Sequence, residues 1–251
     1  MKIIPLSEGS FTIDKTKVFV PFDTGSEELN SRPVGSLLVE IQPFVVITSK
    51  DIILLDTGLG YNLPDGSFQL HQNLLKAGIQ PSQVTKVLIS HLHKDHAGGV
   101  TIKQPSGERY LSFPYATWYV QQREFDYAME AGSASYLTED FALLNEFSKV
   151  VWLTEDEGSI DNYIRYQLTG AHSKFHQVFW IGENNETVFF GGDVAPQLQQ
   201  MKSRFVAKYD YDGKKCMELR GQWWQEGREK HWSFLFYHDI KTPVFREADR
   251  P

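Results

Sequence analysis

Residues 90–99 constrain this chain more than any other stretch, because they place three histidines and one aspartate within six positions. The pattern His-x-His-x-Asp-His is formed by His91, His93, Asp95 and His96. In an extended segment, side chains two residues apart point to the same side, so His91 and His93 can share one metal ion. Asp95 and His96 project elsewhere and remain available for another ion. One hexapeptide therefore predicts ligands for two metals.

The ligand types indicate which metals would bind. Imidazole and carboxylate are borderline to hard ligands, which favours zinc, with manganese, iron or cobalt as alternatives. The motif has no thiolate, and this argues against a closed structural zinc site. The only cysteine, Cys216, excludes an internal disulfide framework and is interpreted as an incidental thiol in a polar, helix-like stretch. The alternative for the motif itself is an exposed polar loop with solvated histidines.

A hexapeptide cannot complete two coordination spheres, so the metal hypothesis requires ligands from later in the chain. Three candidates each stand directly after a strand-like segment, and these are His172, Asp193 and His238. Gly192 precedes the aspartate and is expected to let the backbone approach a metal closely, since glycine has no side chain. His71 and His231 lie in helix-like stretches and are interpreted as ordinary, partly exposed residues.

In this order and spacing, the residues resemble the metallo-β-lactamase superfamily. Within it they resemble the dinuclear hydrolases that include the N-acyl homoserine lactonases, methyl parathion hydrolase and glyoxalase II. The resemblance covers nearly the whole chain. Its five motifs are, in chain order, Asp56-Thr57-Gly58, the His-x-His-x-Asp-His segment, Gly170-Ala171-His172, Gly192-Asp193 and His238-Asp239.

The resemblance implies two divalent metal ions and a role for each motif residue. It assigns His91, His93 and His172 to the first ion, Asp95, His96 and His238 to the second, and Asp193 to a bridge between them. It implies hydrolysis by a metal-bridging hydroxide, with Asp95 or Asp193 as the catalytic group that passes a proton to the leaving oxygen. Asp56 is expected to orient a ligand histidine, although it could instead accept hydrogen bonds from turn amides. His176 matches a histidine that is normally packed and hydrogen-bonded in this family and is not a ligand.

The patterning agrees with one α/β (α+β) domain spanning residues 1–251. The resemblance implies a four-layer αββα metallo-β-lactamase sandwich, with two mixed sheets face to face, helices outside and the metals at one end. From periodicity we expect strands near 37–41, 45–47 and 52–55 to form an N-terminal antiparallel meander. Helical spacing predicts helices within residues 68–79, 123–130, 139–147 and 214–230.

The net charge and the hydropathy of the chain indicate which kinds of molecule it is expected to bind. A formal net charge of −7 argues against a nucleic-acid surface. The sequence has neither a secretion signal nor an apolar run of membrane-spanning length. We therefore expect a soluble cytoplasmic protein, monomeric or homodimeric, that acts on a small molecule and binds neither nucleic acid nor membrane.

The leading hypothesis for the substrate is a lactone or related ester, with phosphotriesters as a side activity. The homoserine lactonases carry a tyrosine shortly after the bridging aspartate, whereas this chain has Pro196 there. The form Gly-Asp-Val-Ala is more similar to methyl parathion hydrolase-like members, which include lactone-cleaving enzymes. Four aromatic residues could line an apolar pocket or belong to the core, namely Phe22, Trp118, Phe175 and Tyr237.

Two alternatives remain open. A glyoxalase II-like thioesterase would use the same seven ligands and would need basic residues for the carboxylates of glutathione. The candidates are Lys214, Lys215, Arg220 and Arg228. The other alternative is a metal-bound sensor or interaction module without turnover, which a complete ligand set disfavours.

Overall fold

Two six-stranded mixed β-sheets form the centre of the computed structural model, which describes residues 1–247. The strands of the fold are β1 (Lys2–Pro5), β2 (Gly9–Ile13), β3 (Val20–Pro21), β4 (Leu37–Ile41), β5 (Phe44–Ile47), β6 (Ile52–Leu55), β7 (Lys86–Leu88), β8 (Thr101–Lys103), β9 (Arg109–Leu111), β10 (Thr117–Gln121), β11 (Val150–Leu153), β12 (Glu157–Ile160), β13 (Ile164–Leu168), β14 (Gln177–Glu183), β15 (Glu186–Phe190), β16 (Ser233–Leu235) and β17 (Val244–Phe245). The helices are α1 (Gln69–Lys76), α2 (Lys94–Ala97), α3 (Gln122–Glu130), α4 (Thr138–Phe141), α5 (Leu198–Met201) and α6 (Gly213–Glu229).

The first sheet has the strand order β1-β5-β6-β7-β10-β11, and the second has the order β12-β13-β14-β15-β16-β17. In the first sheet β6, β7, β10 and β11 are parallel, while β1, β5 and β6 pair antiparallel. In the second sheet only β15 and β16 pair in parallel. A three-stranded sheet, β3-β2-β4, and the hairpin β8-β9 complete the sheet structure of residues 1–247.

The central strands are apolar on both faces because both faces are covered. In β6, Ile53 and Leu55 pack between the two sheets, whereas Leu54 points to the opposite face and packs under α1. In β15, Phe190 packs between the sheets, whereas Phe189 points toward α6. Side chains alternate along a strand, so a continuous apolar run is what a strand buried on both sides requires.

Helices cover the outer face of each sheet. Leu70 and Leu74 of α1 and Phe125 of α3 pack on the first sheet, and Cys216 and Trp223 of α6 pack on the second. The predicted sandwich of two mixed sheets with helices outside is therefore confirmed. No helix within residues 1–247 is both long enough and apolar enough to cross a membrane.

The direction of the strands brings the predicted ligands to one end of the sandwich. β6 and β7 run in parallel, so the segments that follow them leave the first sheet at the same end. β15 and β16 are also parallel, and β13 has the same direction because two antiparallel pairings separate it from β15. The loops after these strands carry His172, Asp193 and His238.

The predicted N-terminal meander is wrong for its first strand. β5 and β6 do form an antiparallel pair, but β4 pairs with β2 in the separate three-stranded sheet. Pro43 stands between β4 and β5 and has no backbone N–H to donate, which favours a break in the ladder at this point.

Candidate metal centre

Two groups of side chains at this end of the sandwich are arranged as metal ligands, and they share one residue. The first group contains His91, His93, His172 and Asp193, and the second contains Asp95, His96, Asp193 and His238. Within each group the ligand atoms all lie within 4.8 Å of one another. The structure thus brings together all seven residues that the sequence singled out, with Asp193 in both groups.

The carboxylate of Asp193 stands between the groups, with one oxygen facing each. Its Oδ2 lies 3.2 Å from Nε2 of His172 in the first group. Its Oδ1 lies 3.1 Å from Nε2 of His96 and 3.0 Å from Nε2 of His238 in the second. Asp95 Oδ2 completes the second group at 3.5 Å from Nε2 of His238. This is the geometry expected of a carboxylate that serves two cations.

The residues fit a divalent cation in each group. His96 Nε2 and Asp193 Oδ1 are buried and, although they lie 3.1 Å apart, neither makes a hydrogen bond of acceptable angle within the described chain. A buried polar atom without a partner is costly, and coordination would satisfy both. The donor set is imidazole and carboxylate without thiolate, which suits zinc and the other first-row divalent ions.

Asp56 contacts both Ser90 and His96 of the segment that carries the first four candidate ligands. Its buried carboxylate accepts hydrogen bonds from the backbone N–H of Ser90 at 2.7 Å and from the Ser90 hydroxyl at 2.6 Å. Its Oδ2 also lies 2.7 Å from Nδ1 of His96, so that Nε2 faces the metal group. Contacts of this kind fix the tautomer and the ring orientation of a ligand histidine.

The other histidines that present Nε2 to the groups are also held through Nδ1. His172 Nδ1 lies 2.8 Å from Oδ1 of Asp210, and His238 Nδ1 lies 2.7 Å from the backbone oxygen of Glu40. Asp210 was not predicted from the sequence. Its neighbours Tyr209 and Tyr211 make residues 209–211 look like an ordinary polar turn, and no local pattern marks it.

Glu124 is a second residue that the sequence analysis missed. It lies on α3, is 1% exposed, and accepts hydrogen bonds from the backbone N–H of Leu92 and the hydroxyls of Tyr136 and Ser173. Leu92 and Ser173 belong to the two loops that carry His91, His93 and His172. Glu124 therefore ties these loops together below the first group.

Burial and neighbouring charges shift the pKa values of three histidines and of Asp193 in the two groups. Burial lowers the pKa of His91 and of His93 well below the usual histidine value, which leaves imidazole lone pairs for coordination. Burial also acts to lower the pKa of His96, but the charges of Asp193 and Asp95 outweigh it and raise that pKa well above its usual value. Burial acts to raise the pKa of Asp193, but His238, His96 and His172 hold it well below its usual range.

Gly192 is needed for a different reason from the one expected. Its φ is +47°, and a Cβ at this position would lie 2.7 Å from Nε2 of His176 and 3.0 Å from the side chain of Ser90. The glycine therefore admits these two neighbours and allows a left-handed backbone. His176 itself is fully buried and accepts a hydrogen bond from the backbone N–H of Asp193 at 3.2 Å, outside both ligand groups.

The remaining histidines and the cysteine lie away from the groups. His71 is half-buried on α1, with Nε2 2.9 Å from the backbone oxygen of Ser112. His231 is exposed just after α6, and Cys216 is buried on the inner face of that helix.

A cavity of about 510 Å³ opens onto the two groups. Its floor includes His93, Asp95, His172, Asp193 and His238. One wall is apolar and comes from the three-stranded sheet and the β2–β3 loop, and it consists of Ile13, Phe19, Leu37 and Val39. Four tyrosines also line the cavity, namely Tyr127, Tyr136, Tyr209 and Tyr211. Four lysines do so as well, namely Lys15, Lys17, Lys94 and Lys174, together with Asp14, Asp210 and Pro196.

The four aromatic residues singled out for the substrate pocket lie elsewhere among the described residues. Phe22 lines a separate cavity that also contains Glu8. Trp118 is fully buried, and its indole donates to the backbone oxygen of Phe113. Phe175 packs against Tyr127 outside the cavity lining. Periodicity identifies an apolar position in a strand, but it does not tell which of two buried faces the side chain occupies.

Tyr237 supports the metal loop from behind. Its ring stacks on His96 with centroids 4.1 Å apart, and its hydroxyl donates to the backbone oxygen of Asp95 at 2.6 Å. These contacts hold the candidate ligands Asp95 and His96 in place, and since Tyr237 is fully buried it has no surface in the cavity.

The basic residues weighed for the thioesterase alternative do not reach the cavity. Arg220 is buried and donates to the backbone oxygen of Val194, Lys214 is exposed beside Glu218, and Arg228 is ion-paired with Glu247. Within residues 1–247, the cavity lining contains none of these side chains, nor Lys215.

The family model described as the metallo-beta-lactamase superfamily matches residues 39–247. This chain belongs to the metallo-beta-lactamase superfamily. The matched range contains all seven ligand candidates and Asp56, and membership confirms the prediction of an enzyme of the metal-dependent hydrolase class. Comparison with curated proteins finds no match.

Solved structures share the fold over nearly the whole chain. A probable metal-dependent hydrolase from Staphylococcus aureus has a TM-score of 0.79 and 20% sequence identity, covering 98% of this chain and 91% of that chain. AidC, a dizinc quorum-quenching lactonase, has a TM-score of 0.71 and 20% identity, covering 96% and 88%. An N-acyl homoserine lactone hydrolase with N-hexanoyl-L-homoserine bound at its catalytic metal center has a TM-score of 0.67 and 18% identity, covering 95% and 93%. At these identities the likeness establishes the fold.

Proposed function

We propose that this protein is a dinuclear metal-dependent hydrolase that opens lactones or related esters. The observation that carries the proposal is the pair of ligand groups joined by Asp193 at the floor of a cavity with an apolar wall. Two divalent ions, with zinc preferred by the donor set, would supply an activated water and polarise the substrate carbonyl.

We assign different roles to the two aspartates of the site. Both oxygens of Asp193 face histidines, so this carboxylate holds the two groups at a fixed separation. Asp95 presents Oδ2 to His238 and lines the cavity, where no hydrogen bond from residues 1–247 engages its carboxylate. We therefore assign the carboxylate of Asp95 as the group that takes the proton of the attacking water and delivers it to the leaving oxygen.

The cavity favours a lactone for two reasons. Its apolar wall suits an alkyl or acyl arm, and the alcohol released on opening a ring remains tethered beside the groups that protonate it. Solved lactonases have the same fold as this chain, which supports the choice. A phosphotriester side activity stays a prediction.

The test is a substrate comparison on the metal-loaded chain. We expect acyl-chain lactones or simple aryl esters to have a higher kcat/KM than S-lactoylglutathione, and we expect chelation to abolish turnover. A phosphotriester in the same panel tests the side activity. A preference for the glutathione thioester would favour the thioesterase function instead, and metal-loaded protein without turnover of any substrate in the panel would contradict the proposal.

A further inference from the structure

Four lysines converge on the cavity from three separate segments of the chain. Lys15 and Lys17 come from the loop between β2 and β3, Lys94 stands between two ligands of the metal loop, and Lys174 lies two residues after His172. We call these four side chains the lysine rim. A chain with a net charge of −7 thus lines the cavity of its candidate metal centre with four lysines, beside the carboxylates of Asp14, Asp95, Asp193 and Asp210.

No rim lysine is held in a direct ion pair by the described part of the chain. Within residues 1–247, no carboxylate oxygen lies within 4.0 Å of a rim ammonium group. By contrast Lys86, which is half-buried like Lys17 and Lys94, pairs with Asp51 at 2.7 Å. Asp14 and Asp95 act on the charges of Lys15 and Lys94 at longer range, but Asp14 accepts hydrogen bonds from Thr16 and Asp210 contacts His172. The rim charges therefore remain available to a ligand.

Two rim lysines are held in place at some cost. Lys17 and Lys94 are half-buried, and the ammonium of Lys94 lies 5.8 Å from the ring centroid of Phe19 in the apolar wall. Lys17 has a φ of +59°, a left-handed conformation in which the Cβ of an L-residue is crowded by the backbone. Strained backbone and partly desolvated charges are concentrated at binding sites, and Lys17 and Lys94 line the cavity together.

We propose that the lysine rim binds a carboxylate carried by the substrate, so that the preferred substrate is an anionic lactone or ester. The reactive carbonyl would reach the floor, the connecting methylene groups would contact Ile13, Leu37 and Val39, and the carboxylate would contact Lys17 and Lys94. This inference rests on the proposed hydrolase function and adds the charge of the substrate to it.

The test uses a matched pair of γ-lactones that differ in one group. Both carry the same pentanoyl-length arm, which ends in a carboxylate in one compound and in the neutral primary amide in the other. With the metal-loaded full chain at low ionic strength, we expect kcat/KM to be about tenfold higher for the carboxylate, mainly through a lower KM. Added salt should reduce the ratio of the two values, because it screens charges at a partly exposed rim.

Variants assign the preference to the rim. The double substitution Lys17→Gln with Lys94→Gln should bring the ratio close to one, and Lys17→Glu should lower it below the wild-type value. Lys17→Asn removes the charge while favouring the left-handed backbone, so it keeps the test independent of folding defects. Lys76→Gln on the exposed side of α1 is the matched control and should leave the ratio unchanged.

Each outcome has a distinct meaning. Hydrolysis of both lactones at equal kcat/KM would overturn the inference and leave the proposed function intact. A carboxylate preference that survives in the double variant would overturn the assignment to the rim. Failure of the metal-loaded protein to open either lactone would overturn the proposed function and this inference with it.

Discussion

Replacement of Glu8 by glutamine should make the fold more stable at high pH. Glu8 is 6% exposed, its Oε2 accepts a hydrogen bond from the backbone N–H of Leu59 at 2.7 Å, and its Oε1 is buried without a partner in the described chain. Burial therefore raises the pKa of this carboxyl from 4.5 to about 8, although the Leu59 hydrogen bond opposes the shift. The carboxyl stays protonated in the folded state at neutral pH.

The sign of the effect follows from proton linkage. Between about pH 4.5 and about pH 8 the unfolded chain loses this proton while the folded chain keeps it, so the free energy of unfolding falls as pH rises. One pKa unit corresponds to about 1.4 kcal/mol, so the full shift corresponds to roughly 5 kcal/mol lost above pH 8. Glutamine cannot ionise, and Glu8→Gln should remove this loss.

The assay is urea unfolding of the metal-loaded wild type and of Glu8→Gln at several pH values from about 5 to about 9. From the low to the high end of this interval, we expect the free energy of unfolding of the variant to rise by at least ~2 kcal/mol relative to that of wild type. This is less than the full pKa shift would give, because relaxation of the site reduces the effect. Glu130→Gln on the exposed face of α3 controls for the loss of one acidic side chain. A constant difference between Glu8→Gln and wild type at all pH values would refute the reasoning.

Three further predictions concern the metal centre. Elemental analysis after zinc or manganese loading should find about two ions per chain, and a maximum of one ion would contradict the dinuclear centre. The substitution Asp193→Ala should weaken metal binding at both groups and remove nearly all activity. Asp210→Asn should lower metal affinity about 10- to 100-fold by loosening His172, as measured by competition with a chelator, while Asp212→Asn two residues away should change it much less. His172→Ala should remove metal from the first group, whereas His176→Ala should mainly lower the melting temperature; the reverse pattern would show that the ligand in this loop is misassigned.

The sequence could predict that the seven candidate ligands lie together, because four of them stand in one hexapeptide and each of the others directly follows a strand. The spacing of His91, His93, Asp95 and His96 already fixes which side chains can share an ion. The later ligands each follow a strand whose apolar pattern is clear. Strand direction then brings them to the same end of the sandwich.

The supporting residues were not accessible, because their roles depend on contacts distant in sequence. Glu124 reaches Ser173 across 49 positions, and Asp210 reaches His172 across 38. Nothing in the neighbouring sequence distinguishes these carboxylates from solvated ones. The lysine rim was missed for a related reason, since overall charge says nothing about the charge of one cavity that several segments line.

The division of the ligands between the two sheets has a mechanical consequence. His91 and His96 follow strands of the first sheet, whereas His172, Asp193 and His238 follow strands of the second. Cations coordinated by residues of both sets would cross-link the two sheets at this end of the sandwich. Any sliding of one sheet over the other would then stretch coordination bonds before it disturbed the apolar interface. Metal release and the separation of the two sheets at this end of the sandwich should accordingly be a single kinetic event.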